Sequence, residues 1–149
     1  MYDAWRAGSR EIIFPDEDIA RENALKITAK VLSNRRPPYS VPGGLFDALK
    51  DTSGDIESVT NSELNIACEM FEELEGIDIH PAAGVALAGM IKSLDSLKAD
   101  RDAVLMLNIT GGGERFLKSQ INPYYLKPNL ILSNKLSNEA IIKQAELLF

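Results

Sequence analysis

The sequence predicts an α/β fold, a three-layer open twisted sheet with helices on both faces, and three observations predict it. Helical stripes alternate with short runs of strand character along the 149 residues. Ala103–Ile109 is apolar except at Asn108 and has strand length, as expected of a strand covered on both faces. That run opens directly into Thr110-Gly111-Gly112-Gly113, and ligands in open α/β sheets bind where strands end. With 45% hydrophobic residues, the chain can bury one sizeable core. A single domain over 1–149 is expected, with 121–149 a C-terminal extension of it. No repeat of fixed period is evident.

Residues 1–15 carry no clear period. From Asp16 to Leu32, Ile19, Ala20, Ala24, Ile27 and Val31 recur at helical spacing, and Asp16-Glu17-Asp18 suits a helix start; the stripe predicts a helix ending near Ser33. Three prolines and a diglycine make 35–44 a loop. Leu45, Phe46 and Leu49 mark a short helix closed by Ser53-Gly54, and 55–59 alternates like a brief strand. Thr60 stands three residues before Glu63, the signature of a capping box. The helix it opens carries Leu64, Ala67, Cys68, Phe71 and Leu74 on one face and stops at Gly76. Ile77-Asp78-Ile79 predicts a short strand, and His80-Pro81 the start of a helix over Ala82–Leu94. That helix is crowded with alanine and glycine, which allows close approach of a neighbour. Asp100-Arg101-Asp102 predicts a turn, Asn129–Ser133 an added strand, and Ser137 or Asn138 the cap of a last helix.

Several function classes are disfavoured. A net charge of −6 with no basic stripe argues against a nucleic-acid partner. The most apolar stretches, 82–91 and 103–109, are far short of the roughly 20 residues that span a bilayer, so no membrane segment is expected. The opening Met1–Arg6 lacks the pattern of a secretory signal, and Cys68 is the single cysteine; a cytoplasmic protein is expected. No metal site is read.

The leading candidate site is Thr110-Gly111-Gly112-Gly113-Glu114, where glycine lets backbone come close to a ligand; the plainer reading is a sharp turn. Its spacing is neither a Walker loop nor a dinucleotide fingerprint. A weaker candidate is the turn Pro42-Gly43-Gly44 with Arg35 and Arg36 close by, where amides and guanidinium groups could hold an anion of the substrate. His80, the only histidine, is read as structural, its ring bonding backbone at the helix start that follows. Cys68 is read as core.

The succession Glu75-Gly76-Ile77-Asp78-Ile79-His80-Pro81-Ala82-Ala83-Gly84, a charged turn, and Asn108-Ile109-Thr110-Gly111-Gly112-Gly113 resembles the C-terminal part of fold-type II pyridoxal-phosphate enzymes, the tryptophan synthase β-like fold. Threonine synthases are the nearest broad group. The His-Pro-Ala-Ala-Gly and Asn-Ile-Thr-Gly-Gly-Gly-Glu forms are more similar to cysteate synthase, an archaeal enzyme of coenzyme M biosynthesis. That resemblance implies β-replacement on O-phospho-L-serine, with sulfite giving L-cysteate and phosphate. It also implies that Thr110 bonds the pyridine nitrogen of pyridoxal 5'-phosphate while Gly111, Gly112 and Gly113 leave that edge of the ring uncrowded. The family usually has glutamate before the Pro-Ala pair, so His80 departs from the wider pattern.

The resemblance covers roughly residues 1–120. The family's Schiff-base lysine and phosphate-binding loop lie upstream of it, and none of the nine lysines has the required surroundings. It therefore implies a partial cofactor site, no catalytic residue in this chain, no activity alone, and a missing N-terminal half as partner. Apolar surface left by that half would favour self-association into a homo-oligomer. Two alternatives stay open: threonine synthase acting on O-phosphohomoserine, and a non-catalytic regulatory or interaction module derived from the fold.

Overall fold

A computed structural model describes residues 1–34, 36–96 and 102–148. They form two compact units, Met1–Leu117 and Lys118–Phe149. Both are helical. The expected three-layer sheet is not found: no strand occurs among the described residues, and one isolated antiparallel bridge, Ile79 to Gly112, is all the β pairing present.

In the first unit, α4 (Asn61–Glu75) and α5 (Pro81–Ser96) form a packed hairpin that carries the core. Ala67, Ala83, Leu87, Ala88 and Ile79 are buried together. The start of α4 follows from its sequence, because Thr60 Oγ1 accepts from Glu63 N–H at 3.2 Å while Glu63 Oε2 accepts from Thr60 N–H at 2.7 Å. Its end is Gly76 at φ +72°, a left-handed cap that glycine adopts without steric cost. The small residues of α5 let the helices meet closely. A side-chain carbon added at Gly84 would fall on Cys68 Sγ and within 2.6 Å of Leu64 Cδ1.

Around this hairpin the N-terminal part is pinned by side chains rather than by regular pairing. The short helix α1 (Tyr2–Arg6) was not legible as a period. It is held by Trp5 Nε1 donating to Asp55 at 2.5 Å and by Arg6 donating to Asp55, Ile56 O and Glu57. Helix α2 (Glu17–Lys26) starts at the acidic run as expected, with Asp16 as its cap, but it ends at Lys26 instead of near Ser33. The cause lies 35 residues away. Asn61 Nδ2 donates to Lys26 O, and Asn61 Oδ1 accepts from Thr28 N–H, which turns the chain out of the helix. A single 3-10 turn, Lys30–Leu32, follows.

Helix α3 (Leu45–Thr52) closes at Ser53, which adopts φ +54°. Phe46 from this helix is edge-on to both Trp5 and Tyr39, with centroids 5.8 and 5.7 Å away, and these rings make a second small core. The strand expected over 55–59 does not form. Its carbonyls at Ile56 and Ser58 accept from the side chains of Arg6 and Lys92 instead of from a neighbouring strand.

The other expected strands fail for lack of partners. Residues 103–109 are not paired with any described residue, and Val104 and Met106 are 95% and 94% exposed. In the turn expected at 100–102, Asp100 and Arg101 lie outside the described residues. Helix α6 (Glu114–Gln120), which the sequence did not announce, follows the glycine run. In the second unit the segment 129–133 is not a strand. Helix α7 (Asn138–Glu146) is capped by Ser137, whose Oγ accepts from Ala140 N–H at 3.3 Å.

Candidate functional site

The glycine run comes to lie against the segment that joins α4 to α5. Asp78 O accepts from Gly113 N–H at 2.6 Å, and His80 N–H donates to Gly111 O at 2.8 Å, which makes the isolated bridge. Gly112 sits at the point of closest approach, where an added side-chain carbon would strike Asp78 O and come within 2.7 Å of Ile79 Cα. Gly113 has φ +76°, a region that favours glycine. Packing and backbone conformation within the chain therefore account for Gly112 and Gly113.

Gly111 is different. A side-chain carbon there would meet only His80 Cβ, at an ordinary 3.7 Å, and its φ is not positive. Nothing in the chain's own packing demands glycine at 111. Beside it, Thr110 is exposed, and its hydroxyl has no hydrogen-bond partner among the described residues. His80 borders the same place. Its Nδ1 accepts from Ala82 N–H at 3.3 Å at the start of α5, the structural role read from sequence.

Asp78 is the residue that sequence reasoning missed. It is buried, and its carboxylate accepts from Arg115 N–H and Phe116 N–H, both at 3.1 Å, in the first turn of α6. The Arg115 amide, with help from Phe116 and the Arg115 guanidinium and against the cost of burial, holds this carboxyl below its ordinary value. Arg115 itself pairs with Glu72 of α4, so the start of α6 is tied to two elements. The available signal was an acidic residue between two isoleucines, where a carboxylate needs donors.

The weaker candidate is placed elsewhere. Arg35 lies outside the described residues. Arg36 is exposed, with its amide donating to Asn34 Oδ1 at 3.0 Å. The amides of Gly43 and Gly44 are already bonded, to Asp47 Oδ2 at 2.8 Å and Val41 O at 2.9 Å. Asp47 is also gripped by both guanidinium nitrogens of Arg10, which hold its carboxyl low. Cys68 is half-buried on the α5-facing side of α4, and desolvation pushes its thiol up. Among the described residues no group of three or more His, Cys, Asp or Glu could hold a metal ion, and no helix is long and apolar enough to cross a membrane.

Comparison with curated proteins gives consistent relatives. A cysteate synthase of Methanosarcina mazei is 43% identical over 136 residues, covering 90% of this chain and 32% of the relative. The chain matches part of cysteate synthase. The cysteate synthase of Methanosarcina acetivorans is likewise 43% identical over 136 residues, and that of Methanocella paludicola 44% over 132, covering 87% of this chain and 30% of the relative. The chain thus spans about a third of the length of the cysteate synthases it matches. No protein-family model matches it, and no solved structure does.

Proposed function

We propose that this chain supplies one wall of the pyridoxal 5'-phosphate site of a cysteate synthase and works when joined to the rest of such an enzyme. The observation that carries the reading is the pairing of an exposed, unpartnered Thr110 hydroxyl with Gly111, whose missing side chain serves nothing within the chain. The similarity to cysteate synthases, 38–44% identical across 79–90% of the chain, supports it.

In this reading Thr110 hydrogen-bonds the ring nitrogen, and Gly111 leaves the space that the ring edge occupies. When bound, the cofactor supplies the electron sink that lets a leaving group on the β carbon be replaced. A neutral hydroxyl does not hold the ring nitrogen protonated as a carboxylate would, which favours replacement over deeper carbanion chemistry. Gly112 and Gly113 fix the run in place through their backbone. The substrates are O-phospho-L-serine and sulfite, giving L-cysteate and phosphate, and exposed Arg36 is a candidate for the anionic end of a substrate. The covalent lysine and the phosphate-binding loop belong to the complementing part, so the chain alone is inactive. The exposed apolar side chains of Val104, Leu105 and Met106 are the surface that part covers.

The test is to join this chain to the remaining two thirds of a cysteate synthase relative. Sulfite-dependent phosphate release from O-phosphoserine is then measured beside release from O-phosphohomoserine. Turnover of phosphoserine alone is expected, and Thr110→Ala should lower it about tenfold, the rate equivalent of one hydrogen bond worth ~1.4 kcal/mol. Preference for phosphohomoserine would make the enzyme a threonine synthase. Turnover and cofactor absorption indifferent to Thr110→Ala would remove the basis of the reading.

A further inference from the structure

We infer that Asp78 is a positioning residue for the Thr110–Gly113 run, setting from the opposite segment where the Thr110 hydroxyl stands. Three bonds converge on this one residue: its carbonyl takes Gly113 N–H, and its two carboxylate oxygens take Phe116 N–H and Arg115 N–H. A helix start leaves amides without intrahelical partners, and a residue just before the helix usually satisfies them. Here the residue immediately before α6 is Gly113, which has no side chain to do so. The carboxylate that serves instead comes from a residue 37 and 38 positions earlier in the chain, so the cap also acts as a cross-link.

The glycine side of the contact shows the same dependence. Gly112 is pressed so closely on the Asp78–Ile79 backbone that no side chain fits, and His80 N–H holds Gly111 O on the far side of the bridge. The run is thus fixed on one side by Asp78 and on the other by His80, with Thr110 the first residue beyond the last of these bonds. Losing the carboxylate frees the start of α6 and the Gly113 turn together. Placing a methyl group at 112 pushes the same run away by a separate route. Asp78 touches no substrate in this account; its effect passes through the backbone to Thr110. The consequence for turnover rests on the reading that Thr110 meets the cofactor.

The test has two arms. In the 149-residue chain, Asp78→Ala should speed amide exchange at Gly113, Arg115 and Phe116 and move the NMR resonances of Thr110 and Gly111. The amides of Leu64 and Leu87 in the hairpin should keep their protection. In the completed enzyme, Asp78→Ala and Gly112→Ala should each shift the cofactor absorption band. Each should also lower kcat about 100-fold, the scale of an ångström's misplacement, with KM for O-phosphoserine changing far less. Asp78→Asn, which keeps one acceptor oxygen, should recover part of both effects.

The inference is overturned if Thr110 and Gly111 resonances stay put in Asp78→Ala, or if protection falls equally at Leu64 and Leu87. It is also overturned if Thr110→Ala moves the absorption band while Asp78→Ala and Gly112→Ala do not. Should Asp78→Ala fail to fold, Gly112→Ala and Asp78→Asn give the same decisions. If Asp78→Ala moves the Thr110 resonance while Thr110→Ala leaves the band and turnover unchanged, the positioning role stands and the cofactor reading is what fails.

Discussion

The two most apolar stretches of the chain, 82–91 within α5 and 103–109, end in opposite environments. The first buries Ala83, Leu87 and Ala88 against α4; the second leaves Val104 and Met106 almost wholly in solvent. The difference lies in what each conformation needs. A helix makes its backbone bonds within itself and requires one neighbour for one face, which α4 supplies. An extended segment needs partners along its edges and cover for two faces; among the described residues it has no edge partner, and of its side chains Leu107 packs against the core while Val104 and Met106 do not. The hairpin is self-sufficient. The extended run keeps its apolar side chains at Val104 and Met106 without cover among the described residues.

The largest effects should come from breaking the hairpin. Leu64 is 2% exposed, so Leu64→Ala should lower the unfolding free energy by about 3 kcal/mol, read from urea denaturation. Gly84→Val should cost about 2 kcal/mol by overpacking, because the space it needs is held by Cys68 and Leu64. If both are tolerated, the hairpin is not the core. Thr60→Ala removes one half of the capping box and should cost about 1 kcal/mol on the same scale.

The other half of that box gives a pH dependence. Glu63 accepts from Thr60 N–H and the Thr60 hydroxyl and pairs with Lys92, which brings its carboxyl down to about 2 from 4.5. A depressed carboxyl stabilises the fold above its ordinary value and loses that contribution as the unfolded chain takes up the proton first. Thermal unfolding measured between pH 5 and pH 2 should therefore show Tm falling with pH over that window. Asp47, Asp55 and Asp78 are shifted in the same direction and add to the slope. Glu63→Gln should flatten it in part; an unchanged slope would mean that the capping bond is not formed in solution.

How much was legible in the sequence follows the same division. The start and stop of α4, the acidic start of α2, the last cap at Ser137 or Asn138 and the close helix contact at Gly84 depend on residues within a few positions or on a simple stripe, and sequence reasoning reached them. The end of α2 depends on Asn61, and the start of α6 on Asp78, each more than 30 residues away, so no local period announces either. The sheet was misjudged because strand character in 55–59, 103–109 and 129–133 is a statement about side chains, whereas a strand is made by a neighbour's backbone. Thr110 was singled out by the family resemblance, beside a glycine run that the residues alone leave open to a plain turn. The reason that Gly112 must be glycine, contact with Asp78 and Ile79, became visible only when the two segments were seen together.

The smallest stability effect should come from the exposed run. Val104→Thr together with Met106→Gln should change the unfolding free energy of this chain by no more than about 0.5 kcal/mol, since neither side chain is packed. If the chain assembles with the rest of a cysteate synthase as proposed, the same pair should slow that assembly and weaken any self-association in sedimentation equilibrium, because an apolar surface that costs nothing to polarise alone is costly to polarise once covered. A loss of stability as large as that of Leu64→Ala would show that the run is packed within the chain after all. Unchanged assembly and association would show that Val104 and Met106 are not the surface proposed to be covered.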